Sequence, residues 1–162
     1  MKQLLTSYAN YDYWANKQIL DLVVTLTEAQ QKRQVLSSFP SIHKTCSHVW
    51  DASRIWWQRL QHDTNVIGPT IDANYPIDEV VENILKQNRE WIDWVTAAAV
   101  ADLDAVLSYK NNKGDAFSQP VKEILLHLFN HGTYHRGQLV TMLRQAGVEK
   151  IPATDYIVYT RL

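Results

Sequence analysis

The chain has 162 residues, 46% of them apolar, with 16 basic and 17 acidic side chains. That size suits one domain spanning residues 1–162, with a core that needs neither a disulfide nor a structural metal. A formal charge of −1 leaves no broad basic surface to neutralise a phosphate backbone or an anionic membrane, which argues against nucleic acid and membrane partners.

The opening MKQLLTSYANYDYW has no continuous apolar run of the signal-peptide kind, and the single cysteine, Cys46, excludes an intrachain disulfide. No segment has the apolar length of a membrane span. A cytoplasmic location is expected. Glycine and proline are scarce and fall between long segments of helical periodicity, so a mostly α protein follows.

The first helix is expected from about Lys2 to Leu26, with Leu5, Tyr8, Ala15, Ile19 and Val23 on one face and Thr27 capping a short extra turn. The second opens at Ser41, which can accept from free backbone N–H groups, and runs to about His62. Residues between Asp63 and Pro76 carry turn residues without periodicity and read as a loop. The third helix spans about Ile77 to Ala99. Short extended runs around Lys113-Gly114-Asp115 are expected to pair as a hairpin, and Pro120 starts a fourth helix ending near Gly147. The tail IPATDYIVYTRL reads as extended, aromatic and packed on the bundle. Four amphipathic helices of this length with a long connection fit a four-helix bundle.

The fourth helix contains His127, His131 and His135, one helical turn apart. At about 100° per residue, His135 lies close to the centre of the apolar stripe, His131 about 40° round from it and His127 a further 40° or so. His131 and His135 are therefore the inward pair, an i, i+4 arrangement that can present two imidazoles to one ion. Gly132, in the same stripe, leaves a gap that reads as part of a site. The plain alternative is two boundary histidines against a neighbouring helix.

A third ligand must come from elsewhere, and the second helix offers His43, Cys46, His48 and Asp51. Cys46 and His48 lie about 200° apart and cannot address one ion; Cys46 reads as packing. His43, in the first turn, reads as nearer to solvent. His48 is the choice, although its azimuth alone supports it weakly. Arg136 points toward a partner, with Asp12 of the first helix the obvious one, and a buried ion pair fixing helix register is the favoured reading over a substrate-binding arginine. Asp51 and Asp155 could each orient a ligand imidazole, with ordinary surface roles as the plainer reading. The six tryptophans read as core and interface, some at a dimer contact.

The segment His127 to Gly147 closely resembles the C-terminal helix signature of the DinB/YfiT-like family of four-helix metalloenzymes. Phe39 to Leu60 resembles its second-helix signature, YWAN at 13–16 its first, and TDYIVY at 154–159 its close. The resemblance implies an up-down-down-up bundle, often dimeric, with one divalent ion on His48, His131 and His135, and His127 outside the ligand set. Three neutral imidazoles would suit zinc, nickel or iron and leave a coordination position open. It also implies a small-molecule substrate and an S-transferase or isomerase activity with a small thiol such as bacillithiol, mycothiol or glutathione, or a hydrolase. No individual catalytic side chain beyond the ligands is assigned. Two rivals are a non-catalytic bundle whose metal site is structural or vestigial and which acts through dimer or partner contacts, and a metal-free histidine cluster sensing pH.

Overall fold

A computed structural model describes residues 1–70, 72–111 and 113–162. Ile71, in the expected loop, and Asn112, in the expected hairpin connection, lie outside the described residues. The elements in chain order are α1 (Lys2–Val23), α2 (Glu28–Lys32), α3 (Ile42–Leu60), α4 (Ile77–Ala97), α5 (Val100–Asp104), β1 (Val106–Lys110), β2 (Ala116–Pro120), α6 (Val121–Gln145) and α7 (Tyr156–Tyr159). Their ends follow local chemistry. Thr27 and Gln30 form a reciprocal capping box at α2, and the Ser41 hydroxyl accepts from the Lys44 N–H at the start of α3. At the other end of α6, Gly147 takes φ +95° and the Val148 N–H returns to the Leu143 carbonyl, closing the last turn.

Two apolar clusters hold the four long helices together. One joins Ile19, Leu20 and Val23 of α1 to Ile42 and Cys46 of α3, Ile77 to Ile84 of α4, and Leu139 to Leu143 of α6. The other joins Leu5 and Ala9 to Trp91 and Val95, to Val121 through Phe129, and to Leu103 and Leu107, with Trp56, Trp57 and Leu60 of α3 packed against it. Reading each helix from one cluster to the other gives its direction. The α1 and α6 helices run one way, α3 and α4 the other, which is the up-down-down-up order. Helix α1 packs on α4 and α6, and α3 packs on the same two, so α1 and α3 are diagonal.

The layer between the clusters is polar. Asp12, Asn16, Asn88 and Arg136 meet there, each nearly inaccessible. Asp12 accepts from Arg136 (2.7 Å), Asn16 (3.1 Å) and Asn88 (3.2 Å), while Arg136 also donates to Asn16, Tyr11 and Thr133. The expected ion pair is therefore present, and it occupies the space assigned to a pocket. A Cβ on Gly132 would lie 2.9 Å from an Asp12 oxygen, so the glycine admits the carboxylate and leaves no gap for a ligand.

One expectation needs correction: Tyr156–Tyr159, in the tail read as extended, is helical, and Val100–Asp104 forms a further short helix; at four and five residues, neither is long enough to show a period. The tail does pack on α1: the Tyr11 hydroxyl donates to the Thr154 carbonyl, and Tyr156 and Tyr159 stack among Tyr8, Tyr11 and Trp14. The six tryptophans are buried or partly buried, each against an apolar cluster or another ring. The hairpin is as expected, β1 antiparallel to β2 with Tyr109 opposite Phe117 and Leu107 opposite Gln119, and Gly114 at φ +90° in its turn. Leu107 is buried and pins it to the bundle. Among the described residues, no helix is long and apolar enough to cross a membrane.

Candidate metal centre

Helices α3 and α6 are neighbours, and at mid-height their seam brings His48 against His131 and His135. The Nε2 of His131 lies 3.1 Å from Nε2 of His48 and 3.1 Å from Nε2 of His135. Donors held at about 2.0–2.1 Å from one ion, at 90° to 109° from each other, stand roughly 2.9–3.4 Å apart. The observed edges fall inside that range. Among the described residues, these three form the sole cluster of three or more ligating side chains able to serve one ion.

The protons decide between a metal site and a hydrogen-bonded histidine cluster. His135 Nδ1 stands 2.8 Å from the Gln138 side-chain carbonyl, an acceptor, so Nδ1 carries the hydrogen and a neutral ring leaves Nε2 with its lone pair. At its other end Gln138 Nε2 donates to the Ser38 hydroxyl at 2.8 Å, and that hydroxyl also meets the Tyr134 hydroxyl. If His131 Nε2 carries a hydrogen, it can point it along only one of its two 3.1 Å contacts. If it does not, it faces the His135 lone pair. A neutral, metal-free cluster therefore leaves one contact without a directed hydrogen bond. An ion shared by three lone pairs removes the conflict.

The surroundings keep the rings neutral. Burial, then the neighbouring His135, push His48 down to about 4. Burial, then His135, His48 and His127, push His131 down to about 3. Burial also lowers His135, against the opposing hydrogen bond to Gln138. Lone pairs are thus available to a metal well below neutral pH. For the metal-free chain, the folded values lie below the unfolded value of about 6.5, so the unfolded state binds more protons as pH falls. Stability present above pH 6.5 is lost down to about pH 3–4. Urea midpoints of chelated protein should fall across that window, and less steeply in His131→Ala; equal slopes would contradict the assignment.

The remaining sequence candidates divide clearly. His127 lines up beside the triad, its ring centroid 5.9 Å from that of His131, outside the converging set. Asp51 is buried, but turns away from the imidazoles: its carboxylate accepts from the Thr70 N–H and hydroxyl and pairs with Arg54, pinning the loop before α4. Both roles read for it, imidazole orienter and surface residue, are corrected, because a loop partner leaves no periodic mark in sequence. Asp155 is exposed at the head of α7, where its backbone carbonyl closes the turn. His43 is buried rather than near solvent, with Nε2 2.7 Å from the Tyr75 carbonyl. Cys46 is fully buried, its thiol pushed up to about 12 by burial, so it packs and does not react.

Two participants escaped the sequence reading. Gln138 stands three residues after His135, a spacing at which helix side chains meet, and that signal was available. Phe39 stacks on His48 with ring centroids 4.0 Å apart and reaches His135 at 5.7 Å. It arrives from the irregular segment before α3, where nothing periodic announces it. Replacing Gln138 by leucine should weaken zinc or nickel binding about 10–100-fold, the usual effect of removing an orienting partner. Competition with a chromophoric chelator measures it, and an unchanged affinity would deny Gln138 that role.

An α3–α6 histidine triad on an up-down-down-up bundle defines a class of small helical proteins able to hold a metal. Residues 1–162 match the family model described as DinB family. The chain is 30% identical over 156 residues to Protein DinB of Bacillus subtilis (strain 168), covering 92% of this chain and 89% of that protein. The crystal structure of a DinB-like protein from Bacillus cereus ATCC 10987 has the same fold, with a TM-score of 0.67 at 20% identity over 89% of this chain and 91% of that one. The chain belongs to the DinB family.

Proposed function

We propose that this protein is a metal-dependent enzyme in which His48, His131 and His135 hold one divalent ion, zinc, nickel or iron, through their Nε2 atoms. The observation that carries this reading is the convergence of three neutral nitrogen donors, with contacts of 3.1 Å that protons alone cannot satisfy. When bound, an ion on three imidazoles with an open position lowers the pKa of water there to about 7 or holds a small thiol as its thiolate.

The chain's own residues supply the rest. Gln138 keeps the Nδ1 hydrogen of His135 engaged so that Nε2 points at the site, and Ser38 accepts from the other end of that amide. Phe39, from the irregular segment before α3, and Tyr134 place rings against His48 and His135. Substrate is left the approach past His131 and His127. The reaction this favours is attack of a thiol or water on a small electrophile, of the S-transferase or hydrolase type.

A folding-staple role fits less well, because both apolar clusters and the Asp12–Arg136 layer close without the triad. The test is elemental analysis of protein purified without a histidine tag, followed by turnover of 1-chloro-2,4-dinitrobenzene with bacillithiol, mycothiol and glutathione, and of an activated ester with water. Metal at one ion per chain, with turnover that chelation abolishes, supports the reading. Protein that takes up no zinc, nickel or iron sinks it, and uptake with no turnover returns the centre to a non-catalytic role.

A further inference from the structure

The triad is approached from two sides of unequal character. On one, Phe39 and Tyr134 cover His48 and His135. On the other, a file of rings leads away from His131: His127 at 5.9 Å, Trp56 at 5.7 Å from His127, and Tyr109 at 4.8 Å from Trp56. These last three line a cleft of about 210 Å³ together with Ile124, Gln119 and Glu123.

The cleft is assembled from three elements. Trp56 comes from α3, Tyr109 and Gln119 from the two hairpin strands, and Glu123, Ile124 and His127 from α6. Its walls are fixed. Trp56 and Tyr109 stand edge to face, and the Arg59 guanidinium lies over both rings, 4.7 and 5.0 Å from their centroids, while donating to the Lys110 carbonyl. The Tyr109 hydroxyl donates to the side-chain carbonyl of Gln119, which turns the other end of that amide into a spare donor. Glu123 makes no hydrogen bond or ion pair with the described residues, so its carboxylate is an acceptor without a partner beside three aromatic walls. Rings packed edge to face accept a further flat ring, and walls already held in place need little further ordering to bind it.

We propose that this cleft binds a planar aryl group bearing a hydrogen-bond donor, and so sets the substrate class of the adjoining centre: small aromatic electrophiles whose N–H or O–H meets Glu123. The inference rests on the metal-enzyme reading for its link to chemistry, but binding in the cleft can be measured apart from it. Saturated rings lack the flatness the walls require, and an aryl carboxylate would set its charge against that of Glu123.

The test is a titration of zinc-loaded and of metal-free protein with benzamide, cyclohexanecarboxamide and benzoate, read from the indole N–H signal of Trp56, assigned by its loss in Trp56→Phe. Benzamide is expected to shift that signal saturably in the millimolar range, with the other two at least about tenfold weaker. Glu123→Gln, an exposed and conservative change, should narrow the gap between benzamide and benzoate about tenfold, and Tyr109→Ala should weaken benzamide by a similar factor while zinc content stays the same. No saturable shift by benzamide up to about 20 mM, or equal binding of all three compounds, overturns the proposal. Benzamide binding by a protein that takes up no metal would sink the enzyme reading and leave the cleft standing; zinc uptake without benzamide binding would do the reverse.

Discussion

Replacing Asp12 by alanine should destabilise the fold by about 3–5 kcal/mol, the usual result of stripping one partner from a buried ion pair. Arg136 would be left with 3% of its side chain accessible and its charge uncompensated. Both groups are shifted upward, which disfavours the charge on Asp12 and favours it on Arg136. Burial pushes the Asp12 carboxyl up, against the pull of Arg136, Asn16 and Asn88. Burial also works against the charge on Arg136, but Asp12 and Tyr11 outweigh it and hold that guanidinium above its usual value. The geometry decides for the charged pair, because the carboxylate accepts from three donors and the guanidinium finds four acceptors.

Chemical denaturation measures the loss. Asp12→Asn, which keeps the shape and removes the charge, separates the ionic part from packing, and a loss below about 1 kcal/mol in Asp12→Ala would show that the layer contributes little to stability. Gly132→Ala should act on the same layer from the other side, since its methyl would press on the carboxylate.

The second large effect is on metal. His131→Ala should lower zinc or nickel affinity by more than the roughly hundredfold that loss of an orienting partner can cause, because both 3.1 Å contacts run through that nitrogen. His131 is half-buried and belongs to neither apolar cluster, so the variant should keep its helical circular dichroism. Calorimetric titration of tag-free protein gives the affinity. Retention of tight binding would mean that the ion sits elsewhere, and unfolding of the variant would give the imidazole a structural role. His127→Ala is the control, with metal affinity unchanged.

What was legible in the sequence follows from where periodicity reaches. The four long helices and the inward turn of His131 and His135 came from a repeat sustained over many turns, and the caps at Thr27, Ser41 and Gly147 from residues with a local backbone task. His48 was chosen on an azimuth that supported it only weakly, and again by the resemblance, while only the packing of α3 on α6 brings its nitrogen beside the other two. Side chains engaged by irregular segments were misread or missed. Asp51 serves Thr70, His43 serves Tyr75 and Phe39 arrives from the irregular segment before α3, and no pattern along a helix reports such partners. Gly132 was legible as a need for space and not as space for Asp12, because a missing Cβ does not say which neighbour fills the gap.

The distance along the chain between His48 and His131, 83 residues, bears on when the centre can exist at all. During synthesis the ribosome delivers α1, α3 and α4 first, and a nascent chain of that length offers one imidazole of the three. Capture of the proposed ion by all three would have to wait until α6 has left the exit tunnel and docked between α1 and α3. Assembly of the triad is then a late event, and fragments lacking the last forty residues or so would present only His48 of the three.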